Sequence, residues 1–367
     1  MSGPGSAIER VAVLGLGKVG LLAAELLHDS GFSVLAYDQR SASKEVSRFE
    51  RRSVDVADLA ALRPELEQVD AVLSCLPYSL NAGVAETAHG LGIHYFDLTE
   101  DVPTTARIRE LAGSSRGLMA PQCGLAPGFV GIVAASQVEG LDRCRSIRMR
   151  VGALPQHPVG LMGYAFNWSS EGVVNEYLND CEVIEQGVHK WVSPMEWHET
   201  IYVDGTQLEA FTTSGGLGTM CETYLGRVDN LDYKTMRYPG HMKLMNFFFH
   251  ELLMRERREL AGEILTEAKP PVNDDVVYLH VAAEGYVDDQ LGRVEYVRAF
   301  KPRQLAGRSR TAIAWTTAGS VVAVMELVRD GLLPRQGFLK QEEIPLDAFL
   351  ATTTGDLFDL SEVGGSA

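Results

Sequence analysis

Between residues 9 and 125, short β-rich apolar runs alternate with segments of helical spacing. Residues 10–16 form an apolar, β-branched run, and Lys18–Asp29 repeats apolar positions three and four apart. Ser33–Asp38 is a second run that ends in an acid. Residues 56–67 predict a helix, 71–76 a strand and 80–91 another helix. His94–Asp97 and residues 117–121 are short extended pieces on either side of a helical 104–112. Such alternation predicts parallel strands joined by crossover helices, and so a doubly wound α/β (Rossmann) sheet.

Around Gly124-Leu125-Ala126-Pro127-Gly128 the pattern changes. Longer stretches of alternating aromatic and polar residues follow at 145–152, 190–203 and 276–300, with a helical pattern at 242–267. They predict a second, α+β domain built mainly on an antiparallel sheet. Residues 310–332 are a long apolar helical segment, followed by a Pro/Gly-rich tail. The expected organisation is a discontinuous dinucleotide-binding domain, 1–125 plus 308–367, around a substrate and dimerisation domain, 126–307. A chain of 367 residues exceeds one ordinary core, which agrees with two domains.

Composition narrows the function classes. The net charge of −16 argues against nucleic acid as a partner, because that surface needs clustered Lys and Arg. It does not exclude an anionic cofactor, which backbone N–H groups can hold locally. No apolar run is expected to reach the roughly 20 residues that span a bilayer, so no membrane partner is predicted. The opening Met1-Ser-Gly-Pro-Gly-Ser6 lacks the basic and apolar regions of a signal peptide. Five cysteines with no C-x-x-C pair predict free thiols and a cytoplasmic location.

The strongest chemical signal is Gly15-Leu16-Gly17-Lys18-Val19-Gly20, between the first apolar run and the first helix. Gly15 permits a tight turn, Gly17 lets a pyrophosphate approach the backbone, and Gly20 lets helix and strand pack closely. The N–H groups at Lys18 and Val19 then face the phosphates from a helix N-terminus. Asp38, eighteen residues after Gly20, ends the second strand, where an acid hydrogen-bonds the ribose 2′-hydroxyl of NAD and repels a 2′-phosphate. Arg40 pulls the other way, since a nearby arginine accommodates NADP. Asp55 is expected near the adenine, and Leu76-Pro77 along the nicotinamide half, because ligands sit at the carboxyl ends of parallel strands. The predicted cofactor is NAD.

Four further motifs occur in order: Gly124-Leu-Ala-Pro-Gly128, Val151-Gly-Ala-Leu-Pro155, Phe166-Asn-Trp-Ser-Ser170 and Met236-Arg-Tyr-Pro-Gly-His241. With them, and with Ser309-Arg310-Thr311 before the last helix, the chain resembles the saccharopine dehydrogenase-like family over nearly its whole length. Saccharopine reductases usually carry Asp and Cys where this chain has Ala126 and Val151, and they tend to prefer NADPH. The pattern is more similar to the lysine 6-dehydrogenases, including the Glu222-Thr223 pair, and departs from them at Gly218, where an arginine is usual. That resemblance implies hydride transfer from the carbon bearing the lysine ε-amine to NAD⁺, then hydrolysis to the semialdehyde and ammonia. It also implies a homodimer formed through the second domain's sheet.

Such chemistry needs a carboxylate anchor, an acid for the α-ammonium and a proton acceptor. Arg237 is the candidate anchor, its fork matching a carboxylate, or else a structural bridge. His241 is the candidate base, or a structural histidine. Glu100 is a second catalytic candidate, with a solvated acid or a cap at Thr99 as the plain alternative. Tyr164, Asn167 and Glu222 are candidates for binding substrate, although the first two can equally satisfy backbone. Trp168 reads as core or domain-interface packing. No Cys/His cluster has metal-ligand spacing, so no metal is expected. The rival readings are an imine-reducing opine-type or carboxyalkyl-polyamine dehydrogenase, and a non-catalytic NAD-binding sensor or scaffold.

Overall fold

The computed structural model describes residues 7–39 and 48–359; Met1–Ser6 and Arg40 lie outside them. The chain divides into two compact units, Met1–Phe129 with Ala314–Ala367, and Val130–Ile313.

In the first unit the described strands are β1 (Arg10–Leu14), β2 (Ser33–Asp38), β3 (Glu50–Ser53), β4 (Ala71–Ser74), β5 (His94–Asp97) and β6 (Leu118–Ala120). They lie in the order β6-β5-β4-β1-β2-β3, every neighbour parallel, with Gly337–Phe338 added beside β6. β1, β4 and β5 are almost entirely buried, which their unbroken apolar runs require of a sheet covered on both faces. The crossovers are α1 (Lys18–Asp29), α2 (Leu59–Leu66), α3 (Tyr78–Leu91) and α4 (Val102–Ala112). Strand order reverses between β1 and β4, and such a switch point leaves a crevice at the carboxyl ends.

Two sequence expectations change here. α4 is capped by Asp101, whose carboxylate accepts the Thr104 N–H, and not by Thr99. The helix Ala312–Arg329 is long and apolar enough to cross a bilayer, contrary to the expectation, but 83% of it is buried inside the protein, as in a core helix. Its Glu326 is tied within the unit by the hydroxyls of Ser30 and Thr354.

The second unit opens with α5 (Phe129–Glu139) and then β7 (Arg143–Pro155), α6 (Ser170–Leu178), β8 (Cys181–Glu185), β9 (Val188–Val192), β10 (Glu199–Val203) and β11 (Thr206–Thr212). There follow α7 (Met220–Tyr224), β12 (Asn230–Arg237), α8 (His241–Asn246), α9 (Arg258–Ala268), β13 (Asp275–Val287) and β14 (Gln290–Phe300). The main path is β10-β11-β12-β7-β13-β14, with β8 on β12 and β9 on β8. The sheet is antiparallel except for β7 against β12, and is therefore mixed. The stretch 276–300 is a hairpin that turns at Asp288-Asp289, both left-handed. The helix expected over 242–267 is broken, with Leu253 left-handed between α8 and α9. A core around Phe211, Tyr177, Phe249 and Met236 fills the unit.

Candidate functional site

In the first unit the glycine loop lies at the carboxyl end of β1. Gly15 has φ of +87°, and a Cβ there would stand 2.9 Å from the Cys75 carbonyl oxygen. At Gly20 a Cβ would stand 1.9 Å from the Gly15 carbonyl, so only glycine lets α1 lie this close to its strand. Gly17 differs: nothing comes within 4 Å of its missing side chain, which leaves its backbone open to a ligand. Gly17 caps α1, and Lys18 and Val19 form its first turn, whose N–H groups have no partner inside a helix.

A cavity of about 450 Å³ adjoins this loop, lined by Gly15, Leu16, Gly17, Asp38, Arg51, Arg52, Asp55, Leu76 and Pro77 among others. Asp38 Oδ2 accepts the Leu16 N–H at 2.8 Å, which ties the end of β2 to the loop. Asp55 Oδ1 accepts the Ala57 N–H at 3.0 Å, stabilising the turn into α2. Arg52 pairs with Glu50 at 2.9 Å and with Glu65. Thus the loop, Asp38, Asp55, Leu76 and Pro77 line one cavity, and the open backbone at Gly17 suits a dinucleotide pyrophosphate.

Beside this cavity lies a group that sequence reasoning passed over. Asp97 ends β5 fully buried, with Oδ1 accepting the N–H groups of Thr99 (3.0 Å) and Gln122 (2.9 Å) and Oδ2 the Tyr95 hydroxyl (2.7 Å). Burial raises its pKa to about 6, against the lowering effect of those three donors. It holds the chain after β6 in place and adds negative charge beside Cys75, whose thiol burial pushes up to about 12. Glu100 sits half-buried in the β5–α4 loop, next to the capping Asp101.

In the second unit the motif residues converge from distant positions. Arg237 ends β12 and is 2% exposed. Its Nε donates to the Tyr177 hydroxyl at 2.7 Å, and Nη1 to the Met236 carbonyl at 2.9 Å and to the Thr235 hydroxyl. Nη2 stands 3.8 Å from the buried Glu176 carboxylate. The guanidinium also lies 4.7 Å from the centre of the Tyr164 ring and 5.6 Å from that of Tyr177, in cation–π reach of both. Burial opposes its charge, but the two tyrosines and Glu176 keep it protonated.

His241 follows Gly240, which is left-handed at φ +98°, and is 1% exposed. Its Nδ1 donates to the Met162 carbonyl at 3.0 Å, which leaves Nε2 to accept the Tyr177 hydroxyl at 3.0 Å. Burial, then Arg237, lowers its pKa to about 3. A neutral ring with both nitrogens engaged is not a free base, so the expected acid–base role is corrected to one of orienting Tyr177 and, through it, Arg237. Tyr164 accepts the Trp168 indole N–H at 3.2 Å. Asn167 accepts the Val272 N–H at 2.7 Å and so serves the backbone, the plainer of its two readings. Glu222 is exposed in the first turn of α7. Glu176 and Tyr177 were missed; the signal was available in Ser169, which caps α6, followed by Val173, Val174 and Tyr177 at helical spacing.

Comparison with known proteins decides the family. Residues 124–354 match the model of the saccharopine dehydrogenase C-terminal domain, and 11–116 that of the saccharopine dehydrogenase NADP binding domain. The chain belongs to the saccharopine dehydrogenase family. Among relatives of this saccharopine dehydrogenase-like chain, the NADP(+), L-glutamate-forming saccharopine dehydrogenase of Schizosaccharomyces pombe is 28% identical over 141 residues, 37% of this chain and 31% of the relative. That of Pyricularia oryzae is 26% identical over 250 residues, 64% of this chain and 55% of the relative. The chain thus spans about a third to about half of the lengths of these curated relatives. The apo saccharopine dehydrogenase (L-Glu forming) from Saccharomyces cerevisiae shares the fold, with a TM-score of 0.73 at 18% identity over 93% of this chain and 96% of that one. The family is one of amino-acid dehydrogenases, and its N-terminal domain binds a nicotinamide dinucleotide.

Proposed function

We propose that this chain is an NAD-dependent dehydrogenase acting on the C–N bond of a basic amino acid, by deamination of the L-lysine ε-amine to the semialdehyde. The observation that carries it is Asp38, a carboxylate fastened to the glycine loop in the dinucleotide cavity, where it favours a ribose 2′-hydroxyl over a 2′-phosphate. NAD⁺ supplies the hydride acceptor. Leu76, Pro77 and Leu80 give the cavity dry walls, and the backbone at Gly17 approaches the pyrophosphate. Arg237 anchors the substrate α-carboxylate, its plane set by Tyr177 and His241, while Glu176 beside it takes the α-ammonium. Ala126 and Val151, where saccharopine reductases usually have Asp and Cys, support an amine donor without a second amino-acid partner.

A second reading, an NADP-dependent imine-reducing enzyme of the saccharopine type, is favoured by Arg51 and Arg52 in the same cavity and by the cofactor in the relatives' names. Arg52 already serves Glu50 and Glu65, which weakens it as a phosphate ligand. The two readings separate by assay. Lysine should reduce NAD⁺ with release of ammonia, whereas an aldehyde plus an amino acid should not oxidise NADH or NADPH. The reverse result would establish the second reading in place of the first.

A further inference from the structure

A cluster in the second unit belongs neither to the dinucleotide cavity nor to the Arg237 network. β8 and β9 form a hairpin whose two-residue turn, Gln186-Gly187, has φ of 53° and 75°, both left-handed as a type I′ turn requires. The turn fixes the register with Ile184 opposite His189 and Glu182 opposite Trp191. Side chains alternate along a strand, so Glu182 and His189 fall on one face as diagonal neighbours. There Nε2 of His189 meets Oε1 of Glu182 at 2.7 Å. The short helix α7 then brings in Cys221, 2% exposed, from a part of the chain outside the hairpin. One ligand atom from each residue, the sulfur, the imidazole nitrogen and a carboxylate oxygen, lies within 4.8 Å of the others.

We propose that Glu182, His189 and Cys221 form a zinc(II) site that clips the β8–β9 hairpin to α7, with water as the fourth ligand. Thiolate, imidazole and carboxylate together are a donor set for zinc, while magnesium and calcium prefer oxygen alone. With zinc bonds of about 2.0–2.3 Å, tetrahedral ligand atoms stand roughly 3.3–3.7 Å apart. The Glu182 oxygen and His189 nitrogen, 2.7 Å apart, open slightly while separations of up to 4.8 Å close, adjustments within reach of side-chain rotation. Side-chain exposures of 34% for His189 and 27% for Glu182 leave an entry path, while Cys221 is shielded from oxidation. The sequence concealed this site because its ligands stand at 182, 189 and 221, outside any compact spacing rule.

The test uses the full chain, reduced and stripped of metal by a chelator, and titrated with cobalt(II) and then zinc(II). The expected result is one equivalent bound, a thiolate-to-cobalt charge-transfer band that zinc abolishes, and a higher thermal midpoint with zinc. Cys221→Ser should remove the band, His189→Ala and Glu182→Gln should each weaken zinc at least tenfold, and Cys181→Ser should leave binding intact. His189→Ala, at a half-exposed position, keeps the test valid if Cys221→Ser fails to fold. Absence of the band at stoichiometric cobalt in the parent chain would overturn the proposal. So would a band or zinc affinity that His189→Ala and Cys221→Ser leave unchanged.

Discussion

The candidate sites of the two units are made of different material. In the first unit the recognition surface is backbone: three glycines, a helix N-terminus and one carboxylate that ties the loop to β2. In the second it is side chain: Arg237 buried among Tyr164, Tyr177, Thr235 and Glu176, with His241 behind. A backbone site tolerates change wherever space is open and fails where a Cβ has none. A buried charge network fails when any member leaves its partner stranded.

Removing Arg237 tests the second half of that contrast with the largest effect. Arg237→Met should destabilise the fold by about 3–5 kcal/mol, because it breaks a buried ion pair by removing the cation that faces Glu176. Adding Glu176→Gln should recover part of it, and neither variant should turn over amino acid. Chemical denaturation of both, beside the parent, measures this. Equal stability of Arg237→Met and the parent would mean that the network is not the support described.

Asp97 gives the first unit its own buried charge, and the sign of its effect differs. Its folded pKa of about 6 lies above the ordinary 3.8, so the fold favours the protonated carboxyl. That stabilisation is complete below about pH 4 and is lost as pH rises through about 6, a change of roughly 3 kcal/mol for a shift of about two units. Asp97→Asn stays neutral and should flatten this part of the profile in urea melts at pH 4.5 and pH 7. Parallel profiles for variant and parent would refute the assignment.

The glycines provide a smaller and cleaner pair. Gly20→Ala forces a Cβ against the Gly15 carbonyl and should cost about 1–3 kcal/mol of stability. Gly17→Ala meets open space, so its thermal midpoint should match the parent while dinucleotide affinity falls about tenfold, or 1.4 kcal/mol. If both variants lost stability alike, Gly17 would be a structural glycine and the ligand-facing role would go.

The same contrast explains what was legible in the sequence. The Rossmann half could be read because each signal is local: β1 runs into Gly15, Gly17 and Gly20, and Asp38 ends the next strand. Asp97 could not, because its significance depends on Gln122, 25 residues further on, and on burial that no short window reveals. Arg237 and His241 stood out as motif residues, but their partners, Met162 and Tyr177, lie 79 and 64 residues away from His241. That is why His241 looked like a base and turned out to be a fully bonded, neutral ring. The broken helix after Met242 has a similar cause: apolar spacing runs on through Leu252 and Leu253, while the left-handed backbone at Leu253 interrupts it.

Cofactor choice is the central claim, and calorimetric titration of the full chain with NADH and with NADPH tests it most directly. NADH should bind at least tenfold more tightly, and Asp38→Ser should erase most of that preference. Tighter binding of NADPH by the unaltered chain would contradict the account.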